Sequence, residues 1–475
     1  MTAARGSHLR LQTTWIALID VFCLLVGIAA AVAVRIGSEE FNRYLLDFFD
    51  GWVAFCGSVL LSNYFAGNYG VQNTYSRFNL VVSWLFSMLV SLLVLSLMSY
   101  TGLRIPLGRG VLLLAMGFYS VASLFFKLTV YRHLFRIDMF LCRTLIIGDG
   151  QRARSMRGVL EGEWILPAHK VVAYVHVPGR HVNLASGGSQ LQDGVVILPL
   201  GERSLDEIVR PLGVALIVVA LEDSQDPAEF YAQLRRIRFN GIEVLDARHA
   251  LEMYSARMAL EYIDERSMME IGMESALPIM RRVKRMMDVM VAIAGCIISL
   301  PIALLIALAI KLSAPFSPVI YTQDRVGQFG RVFRMYKFRT MRPEAESATG
   351  AVWASESDAR ITGVGRILRR TRMDELPQLL NILRGEMSIV GPRPERPEFV
   401  TMLERQIPYY SERANVMPGL TGWAQIRYPY GSSIEDAARK LEYDLFYIRH
   451  LSIALDVQII LSTIRIVFFG KERSM

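Results

Sequence analysis

The sequence predicts a membrane α-helical bundle, then a Rossmann-like α/β domain, then an α/β-containing monotopic module with a re-entrant helix. Three observations predict it: four apolar stretches of spanning length at the start, short strands alternating with helices in the middle, and one proline-interrupted apolar stretch ahead of a water-compatible end. With 475 residues, 52% of them hydrophobic, and a mean hydropathy of +0.32, the chain exceeds one domain and is too apolar for an ordinary soluble protein.

The apolar stretches occupy about 13–35, 48–67, 78–100 and 108–129, which defines a membrane domain over residues 1–135. The first run, Thr13 to Val34, carries no convincing small-residue cleavage site and reads as a retained anchor. After the fourth stretch come Lys127, Arg132, Arg136, Arg143, Arg152 and Arg154, whereas the outer loops carry Arg35, Arg43, Arg104 and Arg109. The positive-inside rule then places both ends in the cytoplasm. Asp20 lies within the first helix and should face the bundle; a functional role and a buried structural partner are both open.

Residues 140–272 alternate strands and helices, with strands expected at Thr144–Ile147, Val195–Leu198, Ala215–Val219 and Ile242–Leu245. The run Gly148-Asp149-Gly150-Gln151-Arg152-Ala153 fits G-x-G-x-x-A after a strand. A bound nucleotide is one reading. A structural or regulatory domain is the other, since no clear acidic residue ends a second strand at the usual distance.

The next apolar segment, Met286 to Ile310, is preceded by Arg281, Arg282, Lys284 and Arg285, followed by Lys311, and interrupted by Pro301. A proline inside a helix removes a hydrogen bond and kinks the axis. Basic residues at both ends and a central break predict a re-entrant helix over about 286–312 that enters and leaves by one leaflet, with an ordinary fifth span as the alternative. The closing run Leu451 to Phe469, interrupted by Asp456 and Arg465, should lie in the membrane interface or pack on it.

The chemistry concentrates between these two segments, where Met373-Asp374-Glu375-Leu376-Pro377-Gln378-Leu379-Leu380 follows an arginine cluster. Pro377 belongs in a first helical turn, so the helix should start near Asp374 or Glu375. The helix dipole together with Arg366, Arg369, Arg370 and Arg372 should keep both acids ionised, while Leu376, Leu379, Leu380 and Leu383 form the buried stripe. Asp374, Gln378 and Asn381 share the other face. This is a place to bind and attack a phosphate, or, more plainly, a solvated acidic helix start.

In the strand-like run Val332 to Thr340, a period of two puts Lys337 and Arg339 on one side, fit to hold a diphosphate or simply a basic surface. Gly391-Pro392-Arg393-Pro394 is a stiff turn that fixes one arginine, and Pro418-Gly419-Leu420-Thr421-Gly422-Trp423-Ala424-Gln425 is a second stiff loop. A net charge of +8 without zinc-finger spacing or an aromatic RNA-binding signature favours lipid and phosphate as partners, with no nucleic acid. Four dispersed cysteines, Cys23, Cys56, Cys142 and Cys296, imply neither a disulfide framework nor a metal cluster.

Tyr336 to Met341, Asp374 to Gln378, Gly391 to Pro394, Pro418 to Gln425 and Tyr443-Asp444 stand in one collinear series. With that series, residues 278–475 resemble the bacterial sugar transferases, the monotopic polyprenyl-phosphate hexose-1-phosphate transferases. The whole chain resembles their large members, of the undecaprenyl-phosphate glucose phosphotransferase type, which start exopolysaccharide or O-antigen repeat units. The resemblance implies transfer of a hexose 1-phosphate from a UDP-sugar to undecaprenyl phosphate with release of UMP, by a catalytic domain on the cytoplasmic side of the bacterial inner membrane. It implies Asp374 as nucleophile, forming a phosphosugar-aspartate, and Glu375 as a ligand helping to bind Mg2+. Lys337, Arg339, Arg372 and Arg393 would offset the remaining phosphate charge. The family's membrane helix often breaks at Ser-Pro, whereas this chain reads Ser299-Leu300-Pro301.

Two rival readings are a membrane-anchored nucleotide-sugar dehydratase or epimerase and a non-catalytic polysaccharide-assembly scaffold. The first normally needs Tyr-x-x-x-Lys, and none of the 19 tyrosines has lysine four positions on. The second has no use for the full motif set. The large α/β domain offers surface for a homodimer.

Overall fold

The computed structural model describes residues 7–37, 39–66, 68–69, 77–100, 108–130, 141–148, 150–161, 169–177, 190–192, 194–200, 204–221, 228–263, 265–270, 278–342, 360–428, 431 and 433–469. The chain forms two compact units, Met1–Ser255 and Ala256–Met475.

The first unit opens with apolar helices α1 (Ser7–Arg35), α2 (Phe41–Asp47), α3 (Phe49–Phe65), α4 (Arg77–Tyr100) and α5 (Arg109–Phe125), the last continued by a π-helical turn, Phe126–Val130. The described segments Thr14–Arg35 and Arg109–Thr129 are long and apolar enough to cross a membrane, and α2 with α3 forms a pair bent by 74° that also qualifies. Gly27 lets α1 meet α5 closely, because a Cβ there would fall 2.9 Å from the Tyr119 nitrogen. Buried polar groups in apolar surroundings need partners, and this bundle supplies them to Asp20 and Asn63. Asp20 pairs with Lys127 at 3.2 Å and accepts from Ser123 Oγ at 2.8 Å. Asn63 donates to the Tyr119 hydroxyl and accepts from Ser87 and Asn68.

That pairing corrects one part of the charge count. Lys127 is buried against Asp20, so its charge is neutralised within the bundle and is no cytoplasmic flank. Arg104, Arg132 and Arg136, also used in that count, lie outside the described residues.

A six-stranded sheet follows, from β1 (Cys142–Ile147), β2 (His169–His176), β3 (Gln190–Gln192), β4 (Val195–Pro199), β5 (Leu216–Val219) and β6 (Glu243–Asp246), in the order β3-β4-β2-β1-β5-β6. All neighbours are parallel except β3, which runs against β4. The helices of this part are α6 (Gln151–Leu160), α7 (Leu205–Leu212), α8 (Ala228–Phe239) and α9 (Ala247–Ser255). Four strands fall where expected and β2 and β3 were missed. β1 shows as an apolar run because Leu145, Ile146 and Ile147 are fully buried, the habit of a central parallel strand. β2 opens on His169 and Lys170 and hides that signal. Gly148, at φ 122°, follows β1; a Cβ there would stand 2.6 Å from the Ala220 carbonyl oxygen, which only glycine avoids. Asp149 of the same motif lies outside the described residues.

The second unit takes in residues that the sequence reading left with the α/β domain, which it carried to 272. Ala256 accepts from Trp423 Nε1 at 2.9 Å, Met258 N donates to the Glu442 carbonyl, and Arg257 pairs with the Glu442 carboxylate. After α10 (Glu265–Glu270) comes α11 (Pro278–Ser313), one continuous helix with Pro301 inside it and longer than the segment expected. Its Asp288 accepts from the Ile389 amide at 3.0 Å. A hairpin, β7 (Ile320–Val326) with β8 (Val332–Phe338), leads to α12 (Gly363–Thr371) and α13 (Gln378–Arg384). Then β9 (Ser388–Val390) pairs in parallel with β10 (Gly419–Thr421), separated in sequence by α14 (Pro397–Glu404). Helices α15 (Trp423–Arg427), α16 (Ile434–Arg449) and α17 (Ile453–Phe469) complete the unit.

The core gathers Ala292 of α11, Met335 of β8, Leu379 and Ile382 of α13, Ile389, Trp423 and Tyr447. In α17 the acid expected to interrupt an interfacial helix is buried instead: Asp456 pairs with Lys284 at 2.6 Å and accepts from the Tyr447 hydroxyl at 2.8 Å. That helix packs on the module through Asp456 and through Ile459, which is fully buried in the core.

Candidate active site

Helix α12 begins at a Thr362 side chain accepting from Gly365 N, and ends where Arg372 turns left-handed at φ 58°. A left-handed non-glycine residue costs on the order of 1 kcal/mol, and here it swings the chain into a 3-10 turn, Met373–Glu375. The helix start is therefore later than expected. Pro377 caps α13, which begins at Gln378, so Asp374 and Glu375 lie in the tight turn before it. Both are under 9% exposed, which excludes a solvated acidic helix start. The stripe is corrected too: Leu379 and Ile382 are buried, whereas Leu380 is 50% exposed. The opposite face is equally buried, with Asp374, Gln378 and Asn381 all inaccessible.

Three cations converge on one oxygen. Glu375 Oε1 stands 2.8 Å from Arg393, 3.6 Å from Lys337 and 3.6 Å from Arg372. Burial opposes ionisation of Glu375, but these cations overcome it and hold the carboxyl well below its usual range. Asp374 goes the other way. Burial pushes its carboxyl up, Lys337 opposes the rise and the Glu375 charge adds to it. The arginine cluster thus does not keep both acids low: Arg372 reaches Glu375, while Arg369 donates instead to Thr340 Oγ1 at 3.0 Å. Burial also lowers Lys337, to about 8, although Glu375 partly restores it.

Arg339 is not drawn into this cluster. The β7–β8 ladder ends at Phe338, after which Arg339 Nε donates to the Pro318 carbonyl at 2.9 Å and the guanidinium lies over the Tyr321 ring. Of the site residues read from the sequence, the structure gathers Lys337, Arg372 and Arg393 at Glu375, beside Asp374, and leaves Arg339 at the hairpin's end.

The direction of Arg393 is fixed by neighbours that sequence reasoning missed. Arg413 donates to the Arg393 carbonyl at 3.0 Å while pairing with Asp444 at 2.8 Å. Arg325 donates to the next carbonyl, of Pro394, at 3.1 Å, and pairs with Glu395 at 3.6 Å. Two arginine–carboxylate struts therefore grip consecutive carbonyls of the Gly391–Pro394 turn. Asp444 is buried enough for its carboxyl to rise to about 6 despite Arg413. Gly391 backs directly onto the Pro418–Gln425 loop, since a Cβ there would meet the Met417 carbonyl oxygen at 2.3 Å, and Gln425 Oε1 accepts from Arg393 at 3.4 Å. Tyr443-Asp444 and Gln425 belong to the collinear motif series. Arg325 and Arg413 carry no local signal and are found only by the fold. A cleft of about 550 Å³, lined by Val326, Phe329, Arg393, Tyr410, Arg413 and Val416 among others, opens beside this turn.

A buried carboxylate flanked by fixed cations can attack an electrophilic phosphorus while the cations hold its oxygens. Residues 279–470 match the family described as bacterial sugar transferase. A UDP-N-acetylgalactosamine-undecaprenyl-phosphate N-acetylgalactosaminephosphotransferase of Aeromonas hydrophila is 38% identical over 254 residues, 54% of this chain and 59% of that protein. A UDP-glucose:undecaprenyl-phosphate glucose-1-phosphate transferase of Xanthomonas campestris pv. campestris is 42% identical over 182 residues, 38% of this chain and 37% of that protein. The exopolysaccharide production protein PSS of Rhizobium leguminosarum bv. phaseoli is 38% identical over 186 residues, 38% of this chain and 92% of that protein. The chain thus spans about half the length of the first two relatives.

Proposed function

The chain belongs to the bacterial sugar transferase family, and from that premise we propose that it transfers a hexose 1-phosphate from a UDP-sugar to undecaprenyl phosphate, releasing UMP, as the initiating step of exopolysaccharide or O-antigen repeat-unit synthesis. One observation carries the reading: the buried Asp374–Glu375 dyad with Arg393, Lys337 and Arg372 all directed at Glu375 Oε1.

In the first step an Asp374 carboxylate oxygen forms a bond to the sugar-bearing phosphorus. The bond from that phosphorus to the bridging oxygen breaks, and its electron pair leaves with UMP. In the second step an oxygen of undecaprenyl phosphate attacks the same phosphorus, the acyl phosphate bond breaks, and the Asp374 carboxylate is regenerated. Lys337, Arg372 and Arg393 hold the non-bridging oxygens, whose charge grows as each bond forms. Glu375 keeps those cations in place. Arg339 is assigned an outer position, meeting the donor from the hairpin's end.

We assign Mg2+ as the cofactor. Among the described residues no group of three or more His, Cys, Asp or Glu side chains gathers as a metal cage. That suits magnesium, which commonly takes one or two carboxylates and completes its shell with substrate phosphates and water. Asp374 Oδ1 is a buried acceptor with no hydrogen-bond partner among the described residues, so the pair fits, with Glu375 as the principal ligand. When bound, the ion supplies charge neutralisation that lets two anions meet.

We place the protein in the bacterial inner membrane, with a four-helix transmembrane domain over residues 1–135, a Rossmann-like domain over 140–272, and a cytoplasm-facing catalytic domain over 278–475. We base the re-entrant reading of residues 286–312 on the packed face of α11, a helix that runs unbroken through Pro301 and is itself long and apolar enough to cross a membrane. Asp288, Ala292, Cys296, Ala303, Ile306 and Ile310 recur at helical spacing and pack on the module, before Pro301 and after it. A full crossing would leave the module behind for about 20 residues. The outward side, with Ile297, Ile298, Leu304 and Leu305 exposed, suits lipid.

Assay of UMP release against a panel of UDP-sugars tests the reading. Turnover is expected with one donor class and only when undecaprenyl phosphate and magnesium are both present; UMP release from no donor would reject it. The panel also names the sugar, on which the relatives' names differ between N-acetylgalactosamine and glucose.

A further inference from the structure

Gln378 follows Asp374 by one turn, on the face shared with Asn381. Its three companions are accounted for differently. Asn381 is fully engaged: it accepts from the Tyr336 amide at 3.0 Å and donates to the Arg334 carbonyl and to Glu386, both at 2.7 Å. Those bonds press this face against β8, the strand that also delivers Lys337. Glu375 meets three cations through Oε1. Asp374 Oδ1 is a buried acceptor, Gln378 Nε2 a buried donor, and neither has a hydrogen-bond partner among the described residues. Gln378 is only 2% exposed.

Leaving a buried amide donor unpaired is unfavourable, and this one stands one turn from an unpaired carboxylate oxygen, a combination that a ligand carrying acceptor oxygens would satisfy. The two orphans do not satisfy each other, although residues four apart on a helical face are neighbours. An unpaired acceptor one turn from an unpaired donor is complementary to a group that is electrophilic at its centre and accepts hydrogen bonds at its rim. A phosphoryl group is that. From this we infer that Gln378 is a further catalytic residue: its Nε2 amide donates to a non-bridging oxygen of the phosphoryl group that Asp374 attacks. A neutral donor suits the place. The three cations already crowd Glu375, and a fourth would be repelled and would hold Asp374 in an ion pair instead of leaving its oxygen free.

The inference rests on the transferase reading, and one experiment separates the two. UMP release by full-length wild type and Gln378→Met is measured in detergent or nanodiscs, with and without undecaprenyl phosphate, beside the thermal midpoint of each. Met keeps the length of the side chain and removes the donor. Because Nε2 has no hydrogen-bond partner among the described residues, the midpoint should hold or rise, while kcat falls roughly 100-fold at little-changed donor KM, as for loss of one oxyanion donor. The UMP burst without acceptor should slow equally. Wild-type kcat in Gln378→Met overturns the inference and leaves the transferase reading intact; no UMP release by wild type defeats that reading first. Should Gln378→Met fail to fold, Gln378→Glu takes its place, keeping the shape but directing a charge at the phosphoryl oxygens; undiminished turnover in that variant also overturns the inference.

Discussion

Lys337 is the residue whose charge state most directly links geometry to rate. Its ammonium is buried, which lowers its pKa to about 8, so it is cationic at neutral pH and loses its proton just above. The sign follows: donor binding weakens as pH rises through that value, because a neutral amine no longer holds phosphate oxygens. We predict that kcat/KM for the donor falls on the alkaline side with a midpoint near the pKa of Lys337. In Lys337→Arg that limb should vanish, since a guanidinium stays charged; an unchanged limb in the variant would place the titration elsewhere. Asp374, the proposed nucleophile, moves up from the ordinary aspartate range and should contribute the acid limb, its charged form being lost as pH falls. At this scale the sequence revealed residue types but not their surroundings. The Asp-Glu pair, Lys337, Arg372 and Arg393 were legible because motifs bring them forward. The opposite displacements of two adjacent carboxyls were not, because each depends on which cations the fold delivers to which oxygen. Arg339 shows the limit of a period-two argument, which ends where the ladder ends.

At the scale of elements, α11 links an exposed apolar side to the candidate site. Its Asp288 accepts from the Ile389 amide, two residues before the Gly391–Pro394 turn that carries Arg393. The helix with the exposed apolar side therefore also fixes the strand leading into the site. A cysteine probe placed just after Lys311 should react only with a reagent on the cytoplasmic side; periplasmic labelling would establish a fifth span and remove the re-entrant reading. The helix itself was legible from its apolar run and flanking charges. Its extension back to Pro278 was not, because Arg281, Arg282 and Lys284 look like an end, whereas Lys284 is drawn inward by Asp456. In the same way Asp456 looked like an interruption of an interfacial helix and is a buried ion-pair partner. Strand β2 was lost for a related reason: its polar opening residues, His169 and Lys170, broke an apolar run that the sheet buries.

Across the whole molecule, the two compact units divide between Ser255 and Ala256, and the PSS relative is almost wholly covered by a 186-residue match. The second unit should therefore suffice for chemistry. We predict that residues 256–475 expressed alone turn over donor and acceptor, whereas 278–475 is destabilised, since it lacks the Ala256 carbonyl bonded to Trp423 and the Arg257–Glu442 pair. Equal thermal midpoints for the two truncations would refute the boundary. The order of parts was readable from hydropathy and strand–helix alternation, but a boundary set by long-range hydrogen bonds has no signature in composition. The central claim, that Asp374 takes the phosphosugar before the lipid does, is tested most directly by incubating the protein with UDP-sugar labelled in the sugar-linked phosphate and no acceptor. Wild type should acquire acid-precipitable label approaching one per chain, discharge it when undecaprenyl phosphate is added, and Asp374→Asn should acquire none. Label on the Asp374→Asn variant, or an unlabelled wild type that still turns over, would contradict it.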